Sequence, residues 1–302
     1  MLEGAVIILR WLQFVGAAGL FGLSLFQLYS PASSEAVGRR GTLVLTASGL
    51  IVLASLGGLV SQTAVMAGGL AAALDPTALS MVAFQMGLGQ AHLARAALGL
   101  AAFSLILAGV RGRLLWWGLA GLGLGVCATF AWSGHAGATE GTLGLPHRLS
   151  DAAHVVAAGA WVGALIAFLT LVGRGAGTDR QTLYRALAEF AGVGTLAVIV
   201  LTVTGLFNAL VLVGPAAAPM ALGTAYGGLL AIKLVAFAGM LGLAAANRFQ
   251  LTPALGRAED EAATQAAVNR LRRSLMLETA LGLIVLGLVA ALGTLAPPAA
   301  LI

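Results

Sequence analysis

Charge is what this chain has least of. Only 9% of its 302 residues are Asp, Glu, Lys or Arg, against 60% hydrophobic, and mean hydropathy is +0.99. Soluble domains carry about 25% charged residues, so the composition excludes that class and gives an all-α polytopic membrane protein. Cysteine is nearly absent as well. Cys127 stands alone in an apolar run, which excludes a disulfide framework and any CxxC metal motif. The chain lacks GxSxG, HExxH and P-loop patterns, and the loop between its fourth and fifth apolar runs is too short for a catalytic domain. It therefore reads as a non-enzyme. The net charge of +5 does not signal nucleic acid, because the arginines are scattered among short loops, where they report topology. A signal-peptide cleavage pattern is also lacking, and the first apolar run is long enough to span a bilayer.

What is present is a series of apolar runs separated by short polar loops, with 42 glycines to let helices approach closely in lipid. A span needs about 20 apolar residues. On that criterion eight helices are expected, near 5–29, 42–70, 88–110, 114–133, 149–173, 186–213, 226–246 and 274–296. They form a single membrane domain over 1–302, with helices one to four in 1–133 and helices five to eight in 134–302. Asp75-Pro76 breaks the run after helix two, and residues 77–87 read as a short helix at the interface. The polar stretch 247–273 is expected to hold a surface helix around 257–272. Trp116 and Trp117 read as interfacial belt residues.

Arginines alternate between loops. Arg39 and Arg40, Arg111 and Arg113, Arg174, Arg180 and Arg185, and Arg248, Arg257, Arg270, Arg272 and Arg273 follow helices one, three, five and seven. Arg148 is the exception. The positive-inside rule then puts both termini outside the cytoplasm. It puts His92, His135, His147 and His154 on that same outer side. A weak internal match pairs Arg10-x-x-Gln13 and Ala18–Gly22 with Asp151-x-x-His154 and Gly159–Gly163. It also pairs Gly89…Arg95 with Gly227…Lys233. Two four-helix halves in parallel repeat would produce such a pattern.

Three of the four histidines lie between Ser133 and Gly163. His147, Asp151 and His154 stand four and three residues apart, which on a helix is one face, and Trp161 continues the stripe. Pro146 suits a first-turn position for that helix, and His135 in the preceding glycine-rich loop can fold back over it. Imidazole is the commonest metal ligand, and a carboxylate can serve as ligand or orient a histidine. The bland alternative makes the histidines helix caps and pairs Asp151 with Arg148. His92 either completes the site or caps helix three. Arg95 and Lys233, a turn or two inside lipid, need a partner or an aqueous cavity. Glu189 and Glu278, near the opposite helix ends, are expected to pair with arginines such as Arg185 and Arg273. Asn208 reads as helix glue, and Cys127 as packing or a deeper soft-metal station.

From helix four onward the chain carries Ser133-Gly-His135-Ala, His154-x6-Trp161-Val-Gly163, Thr204-Gly205 with Asn208, and Thr224-Ala-Tyr226-Gly227-x-Leu229-Leu230-x-x-Lys233. Ala245-Ala-Asn247-Arg248, Arg273-x4-Glu278 and Leu292-Gly-Thr-Leu-Ala-Pro297-Pro298 follow. In this order and spacing the motifs resemble the copper resistance protein D family of bacterial inner-membrane proteins. The first half matches more loosely. There His92 stands where the family carries a large apolar or aromatic residue. The resemblance implies copper as the ion, capture at His135, His147 and His154 with Asp151, and movement from periplasm to cytoplasm. Arg95, Lys233 and Cys127 would then belong to the cavity or pathway, and a periplasmic copper-binding protein is an admissible partner. Two other readings stay open: a b-type haem held between His92 and His154, and a non-transporting assembly partner of copper enzymes.

Overall fold

The computed structural model describes residues 2–30, 34–172 and 180–301. Eight helices among these residues are long and apolar enough to cross a bilayer. They are α1 (Leu2–Tyr29), α2 (Gly38–Ala67), α3 (Gly87–Leu107), α4 (Gly112–Trp132), α5 (Gly141–Val172), α6 (Arg180–Ala221), α7 (Ala225–Gly256) and α8 (Glu261–Leu292). The count expected from the apolar runs holds, and several boundaries move. α5 begins before residue 149, so Pro146 lies in its first turns. The surface helix expected at 257–272 is not separate: from Glu261 its residues are the first turns of α8, with the Asp260 carboxylate accepting from the Ala263 amide at 2.6 Å. Hydropathy fades there, but helical backbone does not need apolar side chains once it leaves lipid. Arg174 lies outside the described residues.

The short helix expected near 77–87 is present as Pro76–Ser80 followed by a π turn, Met81–Gln85. Asp75 caps it, accepting from the Thr77 amide at 3.0 Å, which is the usual way of satisfying an orphan first-turn donor. Met81 and Phe84 stand exposed on it. Of the tryptophan pair, Trp117 faces outward as a belt residue would, whereas Trp116 is turned into the bundle.

α5 is the axis. It packs against α1, α4, α6 and α8, and its side chains from Ala157 to Leu171 supply much of the core. Its closest neighbour is α1, which passes it through a π turn at Ala18–Gly22. A Cβ placed on Gly163 would lie 2.6 Å from the Ala18 carbonyl oxygen, and one on Gly22 would lie 2.6 Å from Gly163 Cα. Small residues four apart on both helices permit this crossing, as in lipid-embedded helix pairs generally, and the contact needs no duplication to explain it. By contrast α6 and α7 are the least buried spans, and they meet mainly at the last turn of α7, Thr252–Gly256. α6 breaks near its far end at Gly214, where φ is 70°.

Candidate functional site

At the end of the bundle away from most of the arginines, α1, α5, α6, α7, α8 and the short helix His135–Ala138 enclose a chamber of about 120 Å³. Arg10, His135, His147, Asp151, His154, Asn208, Tyr226 and Lys233 are its polar lining. Five of these were expected to act together from spacing and resemblance: His135, His147, Asp151, His154 and Lys233.

Each imidazole of the chamber has a hydrogen-bond partner behind it. Thr204 Oγ1 donates its one proton to the Val200 carbonyl at 2.5 Å, so toward His154 Nδ1, 2.9 Å away, it accepts. Thr139 Oγ1 stands 3.1 Å from the His135 carbonyl and 2.8 Å from His147 Nδ1, with which it shares a hydrogen bond. His135 Nε2 donates to the Leu292 carbonyl at 3.1 Å, tying the loop to the end of α8. A neutral imidazole carries one proton. His154 therefore keeps a bare Nε2, and His135 a bare Nδ1. Ligating histidines characteristically donate their other nitrogen in this way. Burial pushes the His135 pKa below its usual value, opposed by the Leu292 hydrogen bond and the Asp151 charge. The three rings do not converge on one point. Among the described residues no three His, Cys, Asp or Glu side chains stand close enough to share an ion.

The chamber is cationic as well as basic in the ligand sense. Arg10 lies against Gly293 and 5.8 Å from the Phe14 ring centroid. Sequence reasoning used Arg10 only as one half of an internal match. Its signal was available, since an ionisable residue inside an apolar run is a functional hypothesis by default. Asn208, read as helix glue, instead lines the chamber with its Oδ1 buried and without a hydrogen-bond partner. Asp151 shares the chamber with Arg10 and Lys233.

Other expected members sit elsewhere. His92 lines a separate void of about 10 Å³ with Arg10, Gln13 and Ser133. Neither of the two cavities that His154 lines includes His92. Arg95 is fully buried over the Phe130 ring, 3.9 Å from its centroid. It donates to Gln13, to Thr129 Oγ1 at 2.9 Å and to Ser133 Oγ at 3.0 Å. It is not among the residues that line the chamber; it pins α1, α3 and α4 beside it. Cys127 lines a second, apolar cavity of about 360 Å³, which shares His154 and Lys233 with the chamber and extends to Trp161 and Met240. Glu278 does not pair with Arg273. Its Oε1 accepts from Trp161 Nε1 at 2.8 Å and its Oε2 from Asn247 Nδ2 at 2.7 Å.

Two family models match this chain: one described as Copper resistance protein D-like, N-terminal domain, over residues 1–145, and one described as Copper resistance protein D over residues 184–292. Copper resistance protein D of Pseudomonas syringae pv. tomato is 36% identical over 305 residues, covering 96% of each chain. Inner membrane protein YebZ of Escherichia coli (strain K12) is 34% identical over 164 residues, covering 54% of each chain. No solved structure matches.

Proposed function

The chain belongs to the copper resistance protein D family, and from that premise we propose that it captures copper in the chamber and passes it toward the arginine-rich side of the membrane. One observation carries the reading: three imidazoles, each hydrogen-bonded through one ring nitrogen so that the other is left for a ligand, line one chamber with Asp151. His135, His147 and His154 are the capturing groups. Imidazole suits copper, and neutral rings need lose no proton to bind it. Asp151 offsets part of the charge brought by the ion. Lys233 and Arg10 organise the wall, and His154 stands where the chamber meets the cavity lined by Cys127 and Met240. Thiolate and thioether sulfur select Cu(I), so that second cavity is the next station inward. The arginine-rich loops mark the cytoplasmic side. The chamber then opens to the periplasm, where a copper-binding protein would be the donor.

The test is copper binding and uptake by the purified protein in sealed vesicles, with zinc measured alongside. His135→Ala and His154→Ala should each lower binding and uptake, with copper favoured over zinc in the wild type. Unchanged copper binding in both variants would remove the site assignment. Binding without flux in the wild type would favour an assembly partner instead.

A further inference from the structure

One buried acid has no part in the chamber. Glu278 of α8 is 2% exposed, and both of its oxygens accept from neutral donors, Trp161 Nε1 of α5 and Asn247 Nδ2 of α7. All three residues line a cavity of about 490 Å³ between α5, α6, α7 and α8 toward the arginine-rich end. Asn247 is 7% exposed, and its buried Oδ1 has no hydrogen-bond partner among the described residues.

A carboxylate held at this depth by two neutral hydrogen bonds is costly, and such a residue invites a positive charge. Among the described residues no cation is bonded to it. The charged or titratable groups that share its cavity are Tyr184 from α6 and Arg248 from α7, while α5 contributes Trp161 and no charge. Arg248 is engaged elsewhere, its Nη1 donating to Thr195 Oγ1 at 2.5 Å and to the Ala191 carbonyl at 3.4 Å.

The neighbours fit a carboxyl that changes charge. An ionised carboxylate accepts only, while a protonated one must donate its O–H. The Asn247 amide offers Nδ2 to the first. Turned by half a rotation, it offers its unpartnered Oδ1 to the second. Trp161 donates to either form. We propose that Glu278, with Asn247 and Trp161, is a proton-binding site that opens on the arginine-rich side. The carboxylate takes one proton from the cavity, its charge goes from −1 to zero, and the new O–H donates to Asn247 Oδ1. Departure of the proton reverses both steps. Trp161 lies seven residues beyond His154 on the same helix and also lines the Cys127 cavity, so proton site and copper chamber share one rigid element. The coupling of the two rests on the copper reading above; the proton site itself does not.

Infrared difference spectra of the purified full chain, titrated with acid, test it directly. Subtracting the Glu278→Gln titration from that of the wild type should leave one carboxylic-acid C=O band that grows as pH falls, and the same band should remain when Asp151→Asn is the reference in place of the wild type. Trp161→Phe removes a donor that favours the ionised form, so its band should appear at higher pH. This variant keeps the test sharp if Glu278→Gln fails to fold. No difference band between the wild type and Glu278→Gln, or one unmoved by Trp161→Phe, would overturn the proposal. In vesicles, wild-type copper uptake should depend on the pH of the arginine-rich side, and Glu278→Gln should lose that dependence. A titrating band without copper uptake would overturn the transport reading and leave the proton site standing.

Discussion

His154 and Thr204 settle each other's hydrogen: because Thr204 Oγ1 gives its proton to the Val200 carbonyl, it can only receive from His154 Nδ1. The nitrogen left to face a ligand is therefore Nε2. Thr204→Val keeps the shape and removes the acceptor, freeing the ring to change tautomer or turn. Outer partners of metal-binding histidines typically contribute roughly 10–100-fold to affinity. Copper affinity measured by competition with a chelator should fall by about that much in Thr204→Val and stay near wild type in Thr204→Ser.

The α1–α5 crossing has no room to spare. Gly163→Val inserts branched carbon against the Ala18 carbonyl and Gly22. Overpacking of this kind costs about 1–3 kcal/mol, which should appear as a lowered Tm in detergent. Gly192→Ala on α6, where a Cβ meets nothing within 4 Å, should leave Tm unchanged or raise it.

Both results would speak to what the sequence makes legible. The apolar runs announce eight helices because a span needs length and hydropathy alone. α8 was read short at its start because polar residues from Glu261 to Arg273 look like loop, although they continue the same helix beyond lipid. The single-helix stripe His147, Asp151, His154 was legible, since spacing on one helix is a one-dimensional fact. The hydroxyl partners Thr139 and Thr204 were not, because a ring's hydrogen-bond partner is set by where another segment of the chain lies. Glu278 was assigned to Arg273 by nearness in sequence, while its real partners sit on α5 and α7.

Acid should act through His135. Its pKa is held below the ordinary 6.5, first by burial. The unfolded chain therefore binds a proton at a pH where the folded chain does not. By linkage, stability rises with pH in that window. Its contribution is complete above 6.5 and is lost as pH falls from there toward the depressed folded value. The Tm of wild type should drop between neutral and mildly acidic pH, and His135→Gln should show a shallower drop. Copper binding should survive to lower pH than an exposed histidine would allow.

Arg95 joins Gln13, Thr129 and Ser133 through three separate nitrogens while lying over Phe130. Lysine cannot reproduce that planar fork. Arg95→Lys should lose about 1–3 kcal/mol, the range for a broken buried network, seen as a lower Tm. It should leave copper affinity per folded molecule nearly unchanged, because Arg95 does not face the chamber.

Arg10 and Lys233 stand in the chamber against the single carboxylate of Asp151. A cation entering there meets bare nitrogens that attract it and an excess positive charge that does not let it settle. Deep storage of copper would call for the opposite balance. On the proposed copper reading, a chamber built this way favours brief occupancy, because the positive wall beside the ligating nitrogens hastens the ion's departure.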